Sequence, residues 1–395
     1  MAVSKRALAV TPSPTLAISS QAKAMKAKGI DVVGFGAGEP DFDTPGHIKQ
    51  AAVDALNAGF TKYPLPVAGI VELREAIVEK LRRDNALEYS PGDVSVAVGG
   101  KNALYTLMQA MIDPGDEVLI PAPYWVSYPE MAKLAGGRPA IVDAVEENDF
   151  KLTPAQLEAA INNNTKLVVI NSPSNPTGSV YTPGELEAIA NVIVAHGVNV
   201  VSDEIYEQLV YDGVEQRSIA SFGPEIKKLT IVCNGLSKAY SMTGWRVGYL
   251  AGPSDIIGAV NKLQSHATSG PTSFVQKGAA AALTGSQETV AAMRAEFDRR
   301  RAVIVERLNA LRGVRCRTPK GAFYAFPNIA ELIGEEIGGV RIGGSLDLAN
   351  VCLNEAHVAV VPGIAFGSDH HIRLSYATSI DVIEEGMDRL TKLLG

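Results

Sequence analysis

Cysteine is scarce. The chain has three, Cys233, Cys316 and Cys352, too scattered for a disulfide framework and without a CxxC pair. That pattern excludes a disulfide-stapled secreted scaffold and fits a reducing cytoplasm. No uncharged apolar run is long enough to cross a bilayer, so no membrane association is expected. No dense basic run is present either, and 43 Asp and Glu against 36 Lys and Arg leave a net charge of −7. Nucleic-acid binding through bulk charge is therefore excluded. Two phosphate-loop patterns fail on spacing. Gly34-Phe-Gly36-Ala-Gly38 is not a dinucleotide fingerprint, and Gly99-Gly100-Lys101 lacks the upstream glycine and following Ser/Thr of a Walker loop. Repeats, low-complexity segments and a metal-ligand cluster are also missing.

What is present is an ordinary globular composition, 46% hydrophobic and 20% charged over 395 residues, long enough for two domains. Mostly continuous apolar runs at Val94–Val98, Glu117–Ile120, Leu167–Ile170, Val198–Val201 and Thr230–Val232 predict buried, largely parallel strands. Amphipathic stretches lie among them at Val71–Leu81, Asn102–Met111 and Thr182–His196. The repeated order predicts an α/β fold, an open sheet with helices on both faces, whose ligand lies beyond the carboxyl ends of the strands. After Ser286 a long charged helix (Glu288–Leu311), short strands at Ala322–Phe326, Val358–Val361 and Ile372–Tyr376, and a terminal helix predict a smaller α+β domain. The expected division is a large domain, 46–286, and a small one from 1–45 and 287–395. The acid-free first thirty residues, with Lys5, Arg6, Lys23, Lys26 and Lys28, predict a helix capped by Thr15 and stopped by Gly29 rather than a transit peptide. Gly338–Gly344 is expected to be a mobile loop.

Lys238 is the most informative residue. In Asn234-Gly-Leu-Ser-Lys238-Ala-Tyr-Ser-Met-Thr-Gly244-Trp-Arg246 a lysine in a small polar turn can form an imine with an aldehyde cofactor, and Arg246 can hold that cofactor's phosphate. Each further candidate has a plainer alternative. Asp203, ending a buried strand, is a helix cap or a carboxylate paired with a pyridinium nitrogen. Tyr206, three residues on, would then reach the ring's phenolic oxygen. Asn175, in Asn171-Ser-Pro173-Ser-Asn175-Pro176-Thr-Gly178, is a turn residue or a donor to that oxygen. Arg373 is solvated or a carboxylate fork. Trp125 is a core aromatic or a plate stacked on a planar ring. Gly99, Gly100 and Lys101 form a tight strand-to-helix turn or a phosphate-holding helix start. Asp203, Asn175, Trp125 and the glycine pair all follow predicted strands, which favours one shared sheet edge.

Together these motifs resemble the class I pyridoxal-phosphate aminotransferases of fold type I, in the aspartate aminotransferase branch called subgroup Ib. The resemblance spans the chain, from Gly36-Ala-Gly38-Glu-Pro-Asp41 through Tyr63, Gly69-x-x-x-Leu73-Arg74, Pro123-Tyr-Trp125-Val-Ser-Tyr128, the Asn175 turn and Ser202-Asp-Glu-Ile-Tyr206. It continues through Ser237-Lys238, Met242-Thr-Gly-Trp-Arg246, Gly321-Ala-Phe-Tyr324 and Val361-Pro-Gly363 to Arg373-Leu-Ser-Tyr-Ala-Thr378. It implies pyridoxal 5'-phosphate joined to Lys238, with Asp203 at the pyridine nitrogen, Tyr206 and Asn175 at the phenolic oxygen and Trp125 on the ring. Arg246 and the backbone after Gly99 would hold the phosphate, joined by Tyr63 from the second subunit of a homodimer. Arg373 would bind the substrate α-carboxylate near the Gly38 backbone, and Lys101 with the Trp125 N–H a distal carboxylate. Gly235 stands where many relatives carry a phosphate-binding serine, and Ser237 is its substitute. The implied reaction is ping-pong transfer of an amino group from L-aspartate to 2-oxoglutarate, both small-molecule substrates. Alternatives of the same fold are aromatic, prephenate or alanine transamination, a pyridoxal-phosphate β-lyase and a non-catalytic regulatory domain. A basic residue in several relatives stands where this chain has Thr11.

Overall fold

A computed structural model describes residues 3–11 and 14–395. The N-terminal segment contributes a two-residue strand, β1 (Val33–Gly34). The central sheet follows with β2 (Val94–Ala97), β3 (Glu117–Ala122), β4 (Arg138–Asp143), β5 (Thr165–Asn171), β6 (Asn199–Asp203), β7 (Thr230–Gly235) and β8 (Gly248–Ala251). Their order across the sheet is β2-β8-β7-β6-β5-β3-β4, with β8 antiparallel to both neighbours and the remaining pairs parallel. Five of these strands match the predicted apolar runs. They are apolar on both faces because helices cover both. Val118, Ile120, Leu167, Val169 and Val201 pack in one core with Leu104, Leu107 and Tyr128; Leu119, Val168, Ile170 and Val200 pack on the other side with Leu186, Ile189 and Ile193.

The helices carry the expected boundary signals. Pro183–His196 begins at Thr182, whose hydroxyl accepts from Glu185 N while the Glu185 carboxylate accepts from Thr182 N. It ends at Gly197, in the left-handed conformation at φ +64°. Such a cap contributes about 1 kcal/mol. In Val71–Asn85, the helically spaced Leu73, Ile77 and Leu81 are fully buried. The N-terminal helix runs Pro14–Ala27, so Thr15 lies inside it rather than at its cap, and the capping position falls outside the described residues. Gly29 follows with φ +82°, as its role as a stop requires.

Residues beyond Ser286 hold the Glu288–Asn309 helix and an antiparallel sheet in which Ile372–Ser375 lies between Val361–Pro362 and Tyr324–Ala325. β1 pairs in parallel with Val358–Ala359, joining the N-terminal segment to this region. The Glu288–Asn309 helix is not a solvated charged rod. Arg300 and Arg301 are buried, Arg300 forking onto Asp41 at 2.7 and 3.1 Å and Arg301 onto Asp212 at 2.7 and 2.9 Å. The first of these bidentate pairs fixes the far end of the segment that begins at Gly36. Gly338 and Gly339 form the two-residue turn of a Glu336–Ile337/Val340–Arg341 hairpin, where positive φ at both positions suits glycine.

Candidate functional site

Register across the sheet brings the strand ends together, by parallel pairing from β5 to β7 and antiparallel pairing of β7 with β8. Asn171 is level with Asp203, Asp203 with Cys233, and Gly235 with Gly248. The residues just past those ends, with 36–39 and Arg373 opposite, enclose a cavity of about 450 Å³. Lys238, Asp203, Tyr206, Asn175, Trp125, Gly100, Lys101, Ser237, Arg246, Gly38 and Arg373 all line it. Gly99 does not line it, but shapes its rim. Its φ of +83° suits glycine, and a Cβ there would lie 2.6 Å from the Arg246 guanidinium, which packs against that turn. Gly99 is also the N-terminal cap of Gly100–Met111, so free backbone N–H groups and Arg246 converge on one end of the cavity.

Lys238 Nζ donates to the Gly38 carbonyl at 2.5 Å. Burial brings its pKa down to about 8, helped by the nearby cations Arg373, Arg246 and Lys101 and opposed by Glu39. Asp203, at the end of β6, is separated by β7 from the start of β8, next to Arg246. Burial pushes its carboxyl up to about 6, against hydrogen bonds from Tyr128 and the Ile205 backbone and the charge of Lys238. No helix follows Asp203, so the capping alternative falls away. Tyr206 and Tyr324 share a hydrogen bond at 2.8 Å, and burial holds both phenols neutral by raising their pKa. Lys101 sits 4.9 Å from the centre of the Trp125 ring, and burial lowers its pKa.

Arg373 is buried, not solvated. Its Nη1 donates to Asn175 Oδ1 at 3.0 Å and its Nη2 to the Gly36 carbonyl at 2.8 Å, while Nε has no partner among the described residues. Because Asn175 spends its oxygen on Arg373, its amide N–H₂ remains as a donor. A buried guanidinium without a carboxylate partner is costly unless a ligand supplies the anion. Ser237 reaches the cavity, whereas Gly235 does not. A Cβ on Gly235 would lie 3.0 Å from the Val247 carbonyl and 3.1 Å from Gly248 Cα, so a serine there would crowd the neighbouring backbone by a few tenths of an ångström. Tyr63 is 82% exposed and away from the cavity of its own chain.

The site fits an elongated anionic ring compound: a phosphate-binding end, an acid across the cavity from it, an indole wall and two lysine amines of lowered basicity, of which Lys238 is the more buried. A family model for aminotransferases of class I and II matches residues 30–390. The chain belongs to that family. It is an aminotransferase by fold and by sequence. It is 52% identical over 394 residues to an aspartate aminotransferase of Geobacillus stearothermophilus, covering 100% of this chain and 99% of the relative. It is 50% identical to an aspartate/prephenate aminotransferase of Cereibacter sphaeroides, covering 96% of each. Among solved structures, the aspartate aminotransferase of Rhizobium meliloti superposes with a TM-score of 0.97 at 42% identity, covering 100% of this chain and 99% of that one. The Thermus thermophilus aspartate aminotransferase with maleate gives 0.94 at 43% identity, with both chains fully covered.

Reading the sequence gave no role to several residues that line this aminotransferase cavity, among them Glu39, Thr243 and two tyrosines. Tyr128 and Tyr324 line it and bond to Asp203 and Tyr206, respectively. Both sit in motifs already singled out, Tyr128 three residues after Trp125 and Tyr324 three after Gly321, but neither was given a role.

Proposed function

We propose that the chain is a pyridoxal 5'-phosphate enzyme that transfers the amino group of L-aspartate to 2-oxoglutarate, giving oxaloacetate and L-glutamate. The observation that carries this reading is the single arrangement of Lys238, Asp203 and Arg373 around one cavity. When bound, the coenzyme would supply an aldehyde and an electron-withdrawing ring that acidifies the substrate Cα–H. Arg246, Ser237 and the N–H groups opening Gly100–Met111 would hold its phosphate, with Tyr63 reaching in from the second subunit of a homodimer. Trp125 would stack on the ring. Tyr206, kept from ionising by burial, and the Asn175 N–H₂ would donate to the phenolic oxygen. Asp203 would hold the proton at the ring nitrogen.

Arg373 would clamp the substrate α-carboxylate, with Nε among its free donors. Lys238 Nζ would take the Cα proton, and a pKa of about 8 leaves a useful neutral fraction at neutral pH. Lys101, beside the Trp125 indole, would meet the distal carboxylate of aspartate or 2-oxoglutarate. The relatives' names support aspartate, and those named aspartate/prephenate favour prephenate as a second acceptor. The division into domains 46–286 and 1–45 with 287–395, and a cytoplasmic location, belong to the same proposal.

Initial rates with aspartate, alanine and tyrosine as donors, and with 2-oxoglutarate and prephenate as acceptors, test the substrate. Aspartate with 2-oxoglutarate is expected to give the highest kcat/KM. Negligible aspartate turnover would refute the specificity, and release of pyruvate and ammonia would indicate a β-lyase instead.

A further inference from the structure

Tyr128 lies in the Ser127–Leu134 helix, 75 residues before Asp203, and is 2% exposed. Its hydroxyl donates to Asp203 Oδ2 at 2.6 Å, a short charge-assisted bond. Its ring meets Trp125 edge to face, 5.2 Å between centres at 82°. One side chain thus touches both the acid at one end of the cavity and its indole wall. The other Asp203 oxygen has only a 3.3 Å contact from Ile205 N, so Tyr128 is the stronger protein donor to this carboxylate. Neither the proposed reaction nor the resemblance gives Tyr128 a role.

We propose that Tyr128 is a positioning residue that sets how strongly Asp203 holds its charge, and so keeps a shared proton on the coenzyme's ring nitrogen. The inference rests on the proposed pairing of Asp203 with that nitrogen. A hydrogen bond to a carboxylate stabilises its ionised form and lowers its proton affinity. With Tyr128 donating, Asp203 is the weaker base of the pair, and the ring keeps its positive charge. Without that donor a buried carboxylate oxygen loses its partner, the proton shifts toward Asp203, and the ring loses electron-withdrawing power. Other groups around Asp203 are the Lys238 ammonium, the Tyr206 phenol and the Cys233 thiol, and Lys238 in turn faces Glu39, Lys101, Arg246 and Arg373. A change confined to the Tyr128 hydroxyl leaves all of these in place.

The test is a pH titration of the visible absorbance of the holoenzyme, together with coenzyme binding to the apoenzyme. Tyr128→Phe keeps the ring against Trp125 and removes only the donor. The midpoint of the absorbance change is expected to move to higher pH, because the Lys238-linked group becomes more basic beside a less positive ring. Coenzyme affinity is expected to fall about tenfold, the usual consequence of one unmet buried hydrogen bond. Replacing Tyr128 with 3-fluorotyrosine, a stronger donor of nearly the same shape, is expected to move the midpoint the other way, and it serves if the phenylalanine variant does not fold. A wild-type midpoint in both variants overturns the proposal. Asp203→Asn separates the two claims: if it loses coenzyme while the Tyr128 variants titrate like the parent, the Asp203 pairing stands and the Tyr128 role falls. If Asp203→Asn binds and titrates like the parent, the pairing itself is wrong and the Tyr128 role goes with it.

Discussion

Two buried polar clusters lie on either side of the turn that follows β6, and they are balanced differently. Behind the turn, Lys80 pairs with Glu207, whose carboxylate also accepts from Asn85 at 2.6 Å and from Asn234 at 2.7 Å, while Lys80 donates to Asn85 at 2.7 Å. Lys80, Asn85, Glu207 and Asn234 thus find partners in one another, beside the buried Glu204, which burial and the Glu207 charge push up to about 7. In front of the turn, Lys101, Lys238, Arg246 and Arg373 face a cavity whose lining carboxylates are Glu39 and Asp203. Glu39 accepts from Thr243 at 2.7 Å and Asp203 from Tyr128. Buried charge that is fully paired fastens elements together; buried cations left in excess mark where anionic ligands complete the balance. The two clusters share a short stretch of chain, Asp203 to Glu207, so one turn serves fastening on one face and chemistry on the other.

Breaking the front cluster should cost activity and little stability. Arg373→Leu removes a guanidinium with no carboxylate partner in the protein, and kcat/KM for aspartate is expected to drop about a thousandfold, as loss of a buried charge-assisted fork implies. The melting temperature of the apoprotein should stay level or rise, because an uncompensated buried charge has gone. Retained kcat/KM in steady-state assays would remove Arg373 from the site.

Breaking the back cluster should do the reverse. Glu207→Gln strands the Lys80 ammonium and is expected to destabilise the fold by about 3–5 kcal/mol in denaturant unfolding. Turnover per folded molecule should stay within a few-fold of the parent. A Lys80→Met, Glu207→Leu pair should recover part of that stability, since it removes the unpaired charge but leaves the Asn85 and Asn234 amides without their acceptor. If Glu207→Gln unfolds like the parent but loses turnover, the separation of the two clusters is wrong.

Much of this arrangement was legible in the sequence because the strands are short, apolar on both faces and followed at once by polar residues. Asp203 and Asn175 could be placed at one sheet edge on that ground alone. β4 and β8 were not legible. Arg138-Pro-Ala-Ile-Val-Asp143 is a half-exposed edge strand starting with arginine and proline, and Gly248–Ala251 is four residues emerging from a glycine-rich turn. The antiparallel insertion of β8 between β2 and β7 follows from pairing across the sheet, which a local pattern does not carry. The same limit hid Tyr128 and Tyr324, whose partners are 75 and 118 residues away. The burial of Arg300 and Arg301 in a helix that reads only as charged was hidden for a related reason: their carboxylates, Asp41 and Asp212, are remote in sequence.

The central claim is that Lys238 is the amine that binds the coenzyme covalently. Borohydride reduction of the pyridoxal-phosphate-loaded protein, run across pH and followed by peptide mass mapping, tests it most directly. The predicted result is one labelled peptide carrying the reduced coenzyme on Lys238, with apoenzyme labelling by the aldehyde rising through about pH 8, where this amine loses its proton, rather than near an ordinary lysine's 10.5. An unlabelled protein, or a label on another lysine with Lys238 unmodified, would contradict it.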